Sequence, residues 1–171
     1  KRESPRALLL DGQQRMTSLY QVALRGEVVQ TVTPKNKKVQ RWFYIDIRKA
    51  LDLAVDRDEA IVGVPQDKVI RTDFGREVVL DLSAPEKEYA ALMYPVAQVF
   101  DIDDWREGFD EYWKGDVNEE TRKLFRQFRK EVLENFKYYQ VPVIALDQST
   151  SKEAVCVVFE KVNTGGKPLD A

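Results

Sequence analysis

Residues 8–26, LLLDGQQRMTSLYQVALRG, decide how the rest of the chain is read. Three leucines make an apolar run and Asp11-Gly12 makes a tight turn. Met16, Leu19, Tyr20, Ala23 and Leu24 then recur at i, i+3, i+4, i+7 and i+8. That spacing gathers apolar side chains on one face of a helix. Asp11 with Gln14 three residues on fits a capping box, and Gly26 supplies the stop. The expectation is a buried strand, a turn and an amphipathic helix.

The turn carries more polarity than a turn needs. Arg15 falls in the first helical turn, at the positive end of the macrodipole, where a cation is disfavoured by roughly 0.3–1 kcal/mol. Two partners answer that cost. One is Asp11, four residues back. The other is a bound phosphate, held by the free N–H groups of the helix start and by the Arg15 guanidinium. Spacing leaves both open.

Two segments far apart in the chain point further. DGQQR at 11–15 and VFEKVNTGGKPL at 158–169 resemble, in the same order, two signatures of the GmrSD family of modification-dependent (type IV) restriction enzymes, in its N-terminal domain. The resemblance implies an α/β (α+β) fold, a ParB/sulfiredoxin-like mixed-sheet core with added helices. It also implies a domain that binds and hydrolyses a nucleoside triphosphate and is coupled to a nuclease in cis or in trans. Contact with DNA would come through the full-length protein, in antiviral defence.

Carried onto this sequence, the resemblance implies a nucleotide pocket with two walls. Gly12 and Arg15 would belong to the first, and Asn163, Thr164, Gly165, Gly166 and Lys167 to the second. Asn163 and the two glycines also have an ordinary reading, a helix C-cap closed by Pro168. Phosphoryl transfer to water would use Arg15 against phosphate charge, Asp11 to orient the attacking water or hold Mg²⁺, and Gln13 or Gln14 to position it. Glutamine is no general base, so positioning is its only part. Binding without turnover, as a nucleotide- or modified-DNA-sensing module, is the alternative.

Composition narrows the rest. The chain has 171 residues, enough to bury a core as one domain. Lys+Arg 27 against Asp+Glu 29 gives a net charge of −2, so no bulk basic charge advertises nucleic acid. A single cysteine excludes a disulfide framework, and the absence of histidine excludes an HNH nuclease, a Ser-His-Asp triad and His-ligated metal from this segment. No signal peptide or membrane-length apolar run stands out, so a cytoplasmic protein is expected. The chain starts at Lys1 with the DGQQR strand close behind. The reading is a single domain over 1–171 that is a piece of a longer chain, its N-terminal segment and nuclease part lying elsewhere.

Between the motifs, strands are expected at 27–32, 41–47 and 61–64, with a hairpin of 68–72 and 76–80 around Asp73-Phe74-Gly75. That DFG has no Gly-rich loop or catalytic-loop motif to make a kinase of it. Helices are expected at 85–93, at 103–114 with Trp105, Phe109, Tyr112 and Trp113 as core, and at 119–136 behind an Asn118 cap. The last buries Leu124, Phe125, Phe128, Val132 and Phe136. On its other side Arg122, Arg126 and Arg129, at i, i+4 and i+7, are the candidate DNA contacts; pairing with Glu119, Glu131 and Glu134 is the competing reading. An edge strand is expected at 138–146. A buried helix should follow from a Thr150–Glu153 capping box to about Val162.

Overall fold

The computed structural model describes residues 7–115, 118–147 and 149–164, with 161–164 as backbone alone. The chain divides into two compact units, Gln14–Tyr139 and Lys1–Gln13 with Gln140–Ala171.

The larger unit is organised around β2, Lys38–Asp46. Strand β1 (Val29–Val32) pairs with its first half, Val29 opposite Arg41. Strand β3 (Ile61–Pro65) pairs along the other edge, with Trp42 opposite Val64. A short later strand, β6 (Met93–Pro95), pairs with the end of β2, setting Tyr94 opposite Ile45. Strands β4 (Val69–Thr72) and β5 (Glu77–Asp81) form a separate hairpin. Every described pairing is antiparallel, so the fold is α+β. The parallel ladder that a mixed sheet requires does not occur among the described residues.

The alternation in RWFYIDI explains why β2 is central. Tyr44 packs with Val64, Leu82 and Met93 on one face. Ile45 and Ile47 join the larger cluster on the other. At the strand's end Asp46 accepts hydrogen bonds from the amides of Arg48 and Lys49 at 3.0 and 3.1 Å. The chain therefore passes directly into α2, Ile47–Leu51.

Helices α3 (Pro85–Ala91), α4 (Asp103–Tyr112) and α5 (Glu119–Phe128) bring the aromatic core. Trp105 stacks on Phe109 at 5.1 Å between centroids, Phe109 meets Phe125 at 4.6 Å, and Tyr94 stands edge-on to Trp105 at 4.8 Å. Each fully buried ring contributes roughly 1.5–3 kcal/mol before any ring-pairing gain. Gly108 lies inside α4 because the Tyr89 hydroxyl occupies the space a Cβ would take. Helix α3 stops at Leu92, which adopts a left-handed conformation (φ 57) and sends its amide back to Glu88 and Tyr89.

Several expectations are corrected. Asn118 holds the N-cap position of α5 without a capping side chain, and its amide donates to the Lys114 carbonyl instead. The helix does not run on as α-helix: Arg129–Leu133 is a π turn before α6, Glu134–Tyr138. The change of phase buries Leu133 beside Phe128. No strand forms over 139–147: Pro142 removes a ladder donor, and no described strand pairs with the segment.

In the smaller unit, Leu8, Leu9 and Leu10 are exposed and extended without a ladder partner, so the expected buried strand is absent. Helix α7, Lys152–Thr164, is a helix as its capping pattern requires, despite the β-branched run at 155–158. Its N-cap is Ser151, whose hydroxyl accepts from the Ala154 amide at 3.2 Å, one residue later than expected. Val157 and Phe159 are exposed, so the described part of this helix is not a buried one.

Candidate functional site

Helix α1 spans Gln13–Ala23. The residue that permits its abrupt start is Gly12, at φ 78, a left-handed conformation costly for any residue with a Cβ. The Gln13 side-chain amide donates to the Leu9 carbonyl at 2.6 Å and so ties the incoming chain to the first helical residue. One glutamine of the pair thus holds the turn, while Gln14 and Arg15 are exposed on the first turn. Asp11 is half-buried, and neither it nor Arg15 lacks partners. The unit boundary runs between Gln13 and Gln14.

The apolar stripe of α1 behaves differently from its pattern. Only Ala23 is buried; Met16, Leu19, Tyr20 and Leu24 are exposed. The helix meets the core of its unit through its last turn, Val22 and Ala23.

Residues 7–13 and 140–164 belong to the same compact unit. That unit holds both the approach to DGQQR and the helix ending in Asn163 and Thr164. These two residues close α7, which their backbones continue. Gly165, Gly166 and Lys167 lie outside the described residues, so the predicted C-cap turn does too.

The arginine row on α5 pairs within its own helix. Glu119 accepts from Arg122 at 2.8 Å and from Arg126 at 2.7 Å. The Arg126 hydrogen bond, with the nearby charges of both arginines, holds the Glu119 carboxyl below the usual range. Arg129 stands apart, 4.0 Å from Glu134.

A buried carboxylate escaped the sequence reading. Glu88 on α3 is 5% exposed. It accepts from the Tyr44 hydroxyl at 2.7 Å, the Lys68 ammonium at 3.1 Å and the Trp105 indole at 3.2 Å. Burial, followed by the Glu88 hydrogen bond and charge, pushes the Tyr44 phenol far above its usual range, so it remains a donor. The signal was available: Glu88 precedes Tyr89 and lies four residues before Leu92, on the face that α3 buries. A cavity of about 220 Å³ adjoins this knot, lined by Trp42, Tyr44, Lys68, Glu88 and Gln98 among others. It is smaller than the roughly 300–1,000 Å³ of ordinary ligand pockets, and the four groups at Glu88 satisfy one another. This is a structural knot.

Among the described residues no group of three or more acidic, cysteine or histidine side chains converges as a metal site. Asp11 is a single carboxylate. That suits Mg²⁺ arriving with a nucleotide, since Mg²⁺ takes one or two protein carboxylates plus phosphate and water. It does not make a cage of protein ligands. No described helix is long and apolar enough to cross a membrane.

A family model described as GmrSD restriction endonuclease, N-terminal domain, matches residues 1–171. The chain belongs to that family, and so is a domain of a DNA-restriction system. No curated protein and no solved structure matches it.

Proposed function

We propose that the DGQQR turn binds the phosphates of a nucleoside triphosphate, and that its occupancy and hydrolysis regulate a nuclease part of the same restriction system. The observation that carries this reading is the turn itself. Gly12 at φ 78 opens a helix of 11 residues whose first turn contains no acidic residue but does contain Arg15. A helix start, whose first N–H groups have no intrahelical acceptor, and a guanidinium beside it favour an anion twice over.

Within that turn, Arg15 offsets phosphate charge and the amides of the first helical residues supply donors. Asp11 orients the attacking water or serves as the protein's carboxylate toward Mg²⁺, which would arrive with the nucleotide and screen its phosphates. Gln13 keeps the turn in shape through Leu9, which leaves Gln14 as the side chain to position water. The family resemblance adds Asn163, Thr164, Gly165, Gly166 and Lys167 as further candidates for the nucleotide, since glycine admits a ligand close to backbone and a lysine ammonium offsets phosphate charge.

The second reading is binding without turnover, as a nucleotide- or modified-DNA-sensing module. Titration of the chain with the four nucleoside triphosphates and Mg²⁺ tests binding, and phosphate release separates the two readings. Arg15→Ala is expected to abolish binding without unfolding the domain. Metal-dependent nicking of DNA by this chain, lost in the same variant, would assign the nuclease here and overturn the regulatory role.

A further inference from the structure

Arg122 and Arg126 are held by Glu119, whereas Arg129 opens a π turn. The Glu134 amide donates to the carbonyl of Arg129, five residues back. Such a turn holds one residue more than an α turn and rotates everything beyond it by about 100°. Arg129 and Lys137 are eight residues apart, which in an unbroken α-helix leaves them about 80° apart around the axis. With the extra residue they behave as a spacing of seven and fall within about 20° of one another. The distortion gathers two cations on one face.

That face opens on a cavity of about 350 Å³, lined by Arg129, Lys137 and Glu134 and walled by Val99, Leu133 and Tyr138. The Arg129 Nε is buried and has no hydrogen-bond acceptor among the described residues. The Glu134 carboxylate, at 4.0 Å, is within ion-pair range and too far to accept that hydrogen. Two cations against one carboxylate leave the cavity positive, with a charged donor unsatisfied.

We propose that this cavity binds a small organic oxyanion, a carboxylate or phosphate carried on an apolar body. The oxyanion bridges the Arg129 guanidinium and the Lys137 ammonium in place of Glu134, and the body lies against Leu133 and Tyr138. The guanidinium edge fits a two-oxygen acceptor, which a carboxylate and a phosphate both present. The site lies on different elements from the DGQQR turn and does not rest on the nucleotide reading.

The test is an NMR titration of the chain with phenyl phosphate and, separately, benzoate, following the arginine Nε–Hε resonances, with sodium chloride as the ionic-strength control. The Arg129 resonance should move saturably while that of Arg126 stays put; the tighter of the two probes identifies the headgroup. Arg129→Lys should weaken binding at least tenfold, and Glu134→Gln should tighten it severalfold, an effect no purely structural role would give. The Arg15→Ala variant should titrate like the parent. An unmoved Arg129 resonance, parallel drift of Arg126 and Arg129, or loss of the response in Arg15→Ala would each overturn the proposal.

Discussion

Between Gln14 and Tyr139 the central strand is covered on both faces and the helices share one aromatic cluster. In the described residues 7–13 and 140–164 the balance is reversed: Leu8, Leu9, Leu10, Val141, Val143 and Ile144 remain exposed, and regular structure is confined to the start of α1 and to α7. The first region uses its sequence to bury itself. The second carries Asp11–Gln13 of the first signature and the described start of the second, Val158–Glu160, none of them buried. Segments with few buried contacts open at low cost, and ligand-binding segments are drawn from them. The difference is that the described signature residues add little to the buried core.

The sharpest way to break that comparison is to attack the packed region at its buried carboxylate, Glu88. Glu88→Ala leaves Lys68, Tyr44 and the Trp105 indole without their acceptor. Removing one partner of a buried pair costs about 3 kcal/mol, toward the low end here because Lys68 is partly solvated. Thermal unfolding should show a drop of many degrees. A variant as stable as the parent would mean the knot contributes nothing.

Gly108→Ala is the next step down. Alanine gains up to about 1 kcal/mol in a helix interior, yet here its methyl would fall on the buried Tyr89 hydroxyl. Overpacking costs typically 1–3 kcal/mol, so net destabilisation by about 1 kcal/mol is expected in chemical unfolding. Stabilisation would show that Tyr89 can step aside.

The smallest effect lies at the surface of the hairpin. Hydrogen bonds from Lys87, then from the Ser83 hydroxyl and amide, hold the Asp81 carboxyl well below its usual range. A carboxyl depressed in the folded state contributes above its unfolded titration, and the contribution is lost as pH falls through the folded value. Lys87→Met should therefore lower stability slightly at neutral pH and bring parent and variant together in strong acid. Divergence on acidification would contradict the sign.

Legibility in the sequence follows the same division. The alternation of RWFYIDI, the hairpin around Asp73-Phe74-Gly75 and the Trp105–Phe109 spacing were readable because local period and tertiary burial agree there. Leu8–Leu10 and residues 138–146 misled because an apolar run is read as a strand only on the assumption of a neighbouring ladder, which the described residues do not supply. The π turn at Arg129–Leu133 has no local signature, so the sequence shows neither the burial of Leu133 nor the shared face of Arg129 and Lys137. At the candidate site, Gly12 and the helix start were visible. The use of Gln13 was not, because nothing in the spacing tells which of two adjacent glutamines reaches back to Leu9.

The central claim is that the DGQQR turn serves a ligand and not the fold. Its most direct test is calorimetric titration of the chain and of Arg15→Ala with nucleoside triphosphate and Mg²⁺, alongside thermal unfolding of both. The account predicts saturable binding by the parent, at least a hundredfold loss in the variant, and unfolding curves that differ by no more than about 0.5 kcal/mol, as for a surface change away from the core. Equal nucleotide affinity in the two proteins, or a variant that unfolds, would contradict it.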